Sequence, residues 1–307
     1  MTAVVVVLAL SAPAAAQSKP QLVDGTPEFT DCLETETCAA NFYGFLGEAM
    51  GEQGFTFQHD AMVTSAVLAP ARGVVVGGTL STFPLGPPPE NLSGKEENTS
   101  FSPVLPRLVV GYGGGDGGDY AWGVGAFFLP PVAVKGASAL VAGGDVSAGW
   151  GGGDGTTHLG VELDFTYTRA HAPVAATEEQ LDNRDDFDNP DNLDPDTYAA
   201  NCPDGCVDVF SVANTGARFV VAFPRGAWTP YAKAGLSYVS ERLDVAYDKT
   251  GWAMRGLQPS LHGGVMCAPG DTVLLGLGTA LALKHPGISA GGVGAFFKLQ
   301  GSAAVTF

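Results

Sequence analysis

Beyond its first few positions the 307-residue chain has no uninterrupted run of about 18 apolar residues, which excludes a protein that crosses a membrane with helices. Basic residues are scarce. Fifteen Lys and Arg stand against 32 Asp and Glu, and the net charge of −17 disfavours nucleic acid and anionic surfaces as partners. Helix-favouring charged residues are few, whereas glycine reaches 43 and the turn residues Gly, Asp and Pro recur at regular intervals; this is the composition of an all-β chain. Neither H-E-x-x-H nor a pair of C-x-x-C motifs occurs, so two common zinc-site patterns are missing, and nothing in the sequence points to a nucleotide site.

Cysteine is limited to five residues, and their spacing sorts them. Cys32 with Cys38, and Cys202 with Cys206, are near enough for two local disulfide loops, leaving Cys267 over. Spacing alone leaves open both the pairing and the reduced state. Export, which would permit such bridges, is suggested by the first residues. An apolar run from Ala3 to Leu10 leads to Ala14 and Ala16 in an A-x-A arrangement before Gln17, so residues 1–16 read as a secretory signal peptide, although no Lys or Arg precedes the run.

What the chain does have is period-two alternation. In THLGVELDFTYT, Leu159, Val161, Leu163, Phe165 and Tyr167 face one way and His158, Glu162, Asp164, Thr166 and Thr168 the other. The pattern predicts ten strands, at 72–82, 105–113, 119–128, 139–150, 157–168, 210–223, 230–243, 252–266, 272–284 and 292–307. Most reach the ~9 to 11 residues that a tilted strand needs to cross a bilayer, beyond the ~5 to 6 usual in soluble sheets. Short turns such as GGGDGG (113–118) and APGD (268–271) alternate with longer connections, the longest being 169–209. Tyr112, Tyr120, Trp122, Trp150, Phe223, Trp228 and Phe307 fall at the short-turn ends, and Phe83, Phe128, Tyr167 and Tyr238 near the long-loop ends, the two belts of an interface-anchored barrel. The expected architecture is an up-and-down transmembrane β-barrel over 72–307, with lipid as the partner of its apolar outer face.

Residues 17–71 depart from this rhythm. Phe42, Phe45, Leu46 and Met50 stand at roughly helical spacing, which suggests a short N-terminal plug or periplasmic segment. Alternatively, FTFQ and MVTSAVLA add two strands and make the barrel twelve-stranded rather than ten-stranded.

Phe307, preceded by apolar residues at alternate places (Val305, Ala303, Leu299, Phe297), resembles the C-terminal assembly signal of Gram-negative outer-membrane β-barrel proteins. The resemblance implies residence in the outer membrane, recognition by the barrel assembly machinery, and an acidic 169–209 loop facing outside. An N-terminal segment leading into a barrel is loosely similar to the long-chain fatty-acid transporter family.

Three sets of residues could carry chemistry. Parity turns Arg107, Asp145, Glu162, Asp164, Arg218, Lys233, His262 and Lys298 into the lumen, since charge is costly on a lipid face. They would line a solute pathway or pack a filled interior as ion pairs, and inward glycines such as Gly125 and Gly160 leave room. Asp186, Asp188, Asp191, Asp194 and Asp196, at spacings of two and three, offer oxygens to a hard cation such as calcium, without the glycine and closing glutamate of an EF-hand; a solvated acidic loop is the plainer reading. Ser260 and His262 share a strand face as a nucleophile and base would, but no orienting acid is assignable; His171 sits beside many Asp residues. Passive passage of a small solute is therefore the expected function. A non-conducting barrel acting through its external loops is the alternative, and a membrane-embedded hydrolase the third reading.

Overall fold

Long strands with apolar residues at every second place can turn that face toward a core or away from it, and this chain turns it away. A computed structural model describes residues 20–25, 47, 50–51, 54–55, 58–68, 73–82, 105–115, 120–134, 137–151, 157–174, 206–246, 249–270, 272–283 and 295–307. A four-residue strand, β1 (Gln21–Asp24), is followed by β2 (Gly73–Thr82), β3 (Leu105–Gly115), β4 (Tyr120–Val134), β5 (Ala137–Gly151) and β6 (His158–Val174). Next come β7 (Cys206–Ala222), β8 (Trp228–Val245), β9 (Thr250–Cys267), β10 (Val273–Leu283) and β11 (Ala295–Thr306). From β2 onward each strand pairs antiparallel with the next, and β11 pairs back onto β2, so ten strands close into a barrel with no free edge around its middle.

Outward positions are apolar and inward ones polar. Leu108 and Leu277 are each 64% exposed, whereas Glu162, Thr166 and Asn214 are wholly buried. This inversion of the soluble pattern is what a lipid solvent selects. Tyr112, Tyr120, Trp122, Trp150, Phe223, Trp228 and Phe307 are all exposed at the short-turn end, and Phe128, Tyr167 and Tyr238 are exposed toward the other. Within the first belt, Tyr112 and Trp122 lie 5.7 Å apart and Tyr120 and Trp150 6.1 Å apart, ring to ring. Among the described residues no helix is long and apolar enough to cross a membrane.

All ten predicted barrel strands are present, within a few residues at most ends. The larger differences lie at the long-loop end. Strand β4 runs on past Phe128 through Pro130 and Pro131, where its register with β5 shifts between Leu129 and Val132. Two prolines look like a stop in sequence, but a bulge removes the need for their missing N–H groups. Strands β4 to β9 are 15 to 18 residues long and the others of the barrel 10 to 12, so one side of the wall stands taller.

The twelve-strand alternative is overturned. Phe55 is helical, and residues 58–68, which include most of MVTSAVLA, form no strand and lie buried inside the barrel. The additional strand is instead β1, which pairs with Trp252 and Ala253 of β9. Strand β10 pairs with β9 only between Ser260 and Cys267, so β1 occupies part of the β9 edge that projects beyond β10.

The closing seam is tight at the chain end. The N–H of Val74 donates to the Phe307 carbonyl at 3.2 Å, and the N–H of Phe307 donates to the Val74 carbonyl at 2.9 Å. Gly73 has φ 119°, and a Cβ there would fall 2.2 Å from the Phe307 carbonyl oxygen, so only glycine fits.

If the outer face meets hydrocarbon, Leu277→Arg at the middle of β10 lowers the unfolding free energy of the barrel refolded in lipid vesicles by about 2–4 kcal/mol. A urea titration followed by tryptophan fluorescence measures this, and a negligible change would place the face elsewhere.

Candidate functional site

Burying a charged group inside a barrel is tolerable only when its partner is buried with it. All eight lumen residues expected from parity are buried: Arg107, Asp145, Glu162, Asp164, Arg218, Lys233, His262 and Lys298. The structure brings most of them onto one object, the non-periodic segment 58–68, every residue of which is buried.

Lys233 on β8 is the centre of this contact. Its Nζ donates to Asp60 Oδ1 at 2.6 Å, to Glu162 Oε2 on β6 at 2.8 Å and to the Ala61 carbonyl at 3.0 Å. Three donors meet three acceptors, one from the wall and two from the segment. The wall also reaches the segment's backbone: Lys298 Nζ donates to the Gln58 carbonyl at 2.9 Å, and Gln300 Nε2 to the Asp60 carbonyl at 3.0 Å. These contacts satisfy carbonyls that an unpaired chain in a closed lumen would leave orphaned.

Further down, Thr64 Oγ1 donates to Asp145 Oδ1 at 2.8 Å and the Ala66 N–H to Ser147 Oγ at 2.9 Å. His59 lies 3.3 Å from the other Asp145 oxygen and stacks on Phe127 with ring centres 3.9 Å apart. The inward glycines provide the space this needs. A Cβ on Gly160 would stand 2.3 Å from Val67 Cγ2, and one on Gly125 would stand 2.7 Å from Thr64 Cγ2. The room read from these glycines is thus taken by the chain's own segment.

Within the wall, Arg218 bonds both oxygens of Asp164 at 2.5 and 3.4 Å. Arg107 donates to Ser81 at 3.3 Å and sits 5.9 Å from the Phe127 ring centre. Ser260 and His262 do find an acid: His262 Nδ1 is 3.1 Å from Asp60 Oδ2, and Nε2 is 3.0 Å from Ser260 Oγ.

Sequence reasoning missed Asp60 and His59 because they belong to no periodic stretch. It also missed Glu241, which shares the parity of Lys233 on β8 and is buried with both carboxylate oxygens lacking a hydrogen-bond partner. His171, near the long-loop end of β6, has no hydrogen bond to an acid among the described residues. Asp186, Asp188, Asp191, Asp194 and Asp196 lie outside the described residues, as do Cys32, Cys38, Cys202 and residues 1–16; the side chain of Cys206 is likewise outside them, and Cys267 is a free thiol. Among the described residues no group of three or more His, Cys, Asp and Glu is placed to hold a metal ion. The string GISAG at 287–291 has the G-x-S-x-G spelling of a nucleophile elbow and lies outside the described residues.

Lys233→Met keeps the volume of the side chain and leaves Asp60 and Glu162 buried without their shared cation. The expected loss of stability is about 3–5 kcal/mol, measured as a shift in the urea unfolding curve. A shift no larger than that of an exposed Lys249→Met control would remove Lys233 from the centre of the network.

No protein-family profile matches the chain, and no curated protein does either. Solved structures match in fold. The chain is similar to the translocator domain of the autotransporter NalP from Neisseria meningitidis, with 10% identity, 89% of this chain and 97% of that one covered, and a TM-score of 0.44. It is similar to Neisserial surface protein A, with 14% identity, 77% and 99% covered, and a TM-score of 0.32. A third likeness is to the toluene transporter TodX of Pseudomonas putida, with 10% identity, 80% and 70% covered, and a TM-score of 0.36. The closed antiparallel barrel rests on this chain's own strand pairing.

Proposed function

We propose that the chain is an outer-membrane β-barrel closed by its own N-terminal segment, non-conducting at rest, that acts through the parts projecting at its long-loop end. The observation that carries this reading is the complete burial of residues 58–68 within the lumen, held by Lys233, Lys298, Gln300, Asp145 and Ser147. A solute pathway would have to run where these side chains bond the segment. The long-loop end, by contrast, offers surface. Where β1 meets the β8–β9 hairpin there is a cleft of about 200 Å³ lined in part by Asp24, Val207, Asp244 and Lys249. The acidic connection between β6 and β7, expected over 169–209, is shortened to residues 175–205 by the longer strands and starts from the same end.

In this reading the long-loop end faces outside, lipid covers the wall, and the exposed Phe307 is read by the barrel assembly machinery. The carboxylates of Asp186, Asp188, Asp191, Asp194 and Asp196 suit calcium as a ligand of the external loop. Deleting residues 178–206 is then expected to abolish calcium binding in isothermal titration while the barrel still folds; binding that survives the deletion would end that part of the reading.

Conductance in a planar lipid bilayer tests the closed lumen. The refolded protein is expected to be silent, and a variant of equal length with residues 58–68 replaced by a Gly/Ser sequence is expected to give stable open steps. Steady open steps from the unaltered protein would overturn the proposal in favour of a channel.

A further inference from the structure

The hydrogen bond between His262 and Ser260 lies within the wall. Both residues lie on the same face of β9, two apart, and Lys233 already anchors Asp60. Yet the three side chains form an ordered relay. Asp60 Oδ2 stands 3.1 Å from His262 Nδ1, and His262 Nε2 stands 3.0 Å from Ser260 Oγ, with all three residues at least 96% buried. With Nδ1–H donating to Asp60, Nε2 accepts from the serine hydroxyl, which is the arrangement that makes a serine nucleophilic. Asp60, the partner of His262 Nδ1, is itself bonded by Lys233, which it shares with Glu162.

Beside Ser260 stand small residues and a filled apolar cluster. Register sets Gly235 and Ala282 on either side of Ser260, so both flanks are small. Ala282 belongs to a buried apolar cluster with Ala280, Phe296 and Phe55, and the last of these comes from the N-terminal segment and stacks on Phe296 with ring centres 6.5 Å apart. Lys298 Nζ, bonded to the Gln58 carbonyl, lies 5.1 Å from the centre of the Phe55 ring.

We propose that Ser260 is the nucleophile of an acyl-transfer centre that the closed barrel holds masked, and whose substrate is a carboxylic ester with a short apolar acyl group, seated where Phe55 now lies; the masking rests on the closed lumen proposed above. As Ser260 Oγ bonds the ester carbonyl carbon, its proton passes to His262 Nε2. The carbon–oxygen bond to the alcohol breaks, and the same proton leaves with the alcohol. Water, deprotonated by His262, then releases the carboxylic acid and restores the serine. Asp60 is a positioning residue that fixes the imidazole tautomer.

The test uses the refolded full chain, its fold checked by heat-modifiable gel migration, with a fluorophosphonate probe and p-nitrophenyl butyrate. Phe55→Ala, which empties the seat, is expected to acquire one phosphonyl group at Ser260 by peptide mass spectrometry, and to hydrolyse the ester faster than the parent chain. In the Phe55→Ala background, Ser260→Ala is expected to abolish both signals, and His262→Gln to slow labelling by about a hundredfold or more. Asp60→Asn is expected to slow labelling comparably and to alter its pH profile, with partial recovery in Asp60→Glu. Absence of a Ser260 adduct in folded Phe55→Ala protein, undiminished hydrolysis after Ser260→Ala, or labelling indifferent to Asp60→Asn would each overturn the assignment.

Discussion

One buried ammonium group organises the interior. Lys233 cannot stand alone in a closed barrel, because moving an unpaired charge out of water costs several kcal/mol. It is satisfied only when Glu162 from the wall and Asp60 from the N-terminal segment converge on it. Each carboxylate is in turn tolerable there because of the lysine. The contact is therefore one of mutual necessity, and it sets the height at which the segment sits, as a single polar pair sets register elsewhere. The contacts above and below, from Gln258 on Gln58 down to Ser147 on Ala66, keep that register.

The barrel was legible because lipid imposes a rule as simple as alternation. Leu159, Val161, Leu163, Phe165 and Tyr167 could be assigned outward without knowledge of their neighbours, and Glu162 and Asp164 inward by the same count. Glu241 obeys the same rule, eight positions on from Lys233 along β8. The segment 58–68 obeyed no rule of that kind. Its surroundings are polar and apolar by turns on every side, so no period forms, and its valines and alanines imitate a strand. Likewise, nothing in sequence could join Asp60 to a serine and histidine two hundred positions away; closure of the barrel brings them together. Strand β1 was invisible for a different reason: four exposed residues owe their conformation to an edge that β9 offers and not to their own pattern.

Glycine has two distinct uses here. At Gly73 it permits a backbone conformation and lets the chain end approach. At Gly125 and Gly160 it hollows the wall so that Thr64 and Val67 can enter, which makes the lumen surface complementary to one particular filling. A generic pore has no need of such fit. The polar wall and the segment are better understood as two halves of one core, which happens to be enclosed by a sheet whose outer face is solvated by lipid.

The seam between β2 and β11 constrains the order of assembly. Gly73, the first residue of β2, follows Leu68 of the lumen segment by only five positions, and the segment is continuous at its other end with β1 at the rim. A ring that closed early could admit the segment only by drawing every preceding residue through the lumen. Wrapping a still-open sheet around the segment requires no such passage. Strands β5 to β9 supply Ser147, Thr166, Lys233 and Gln258 to the segment without involving the seam, so they can gather on it first, and the meeting of the two outermost strands becomes the last event of folding.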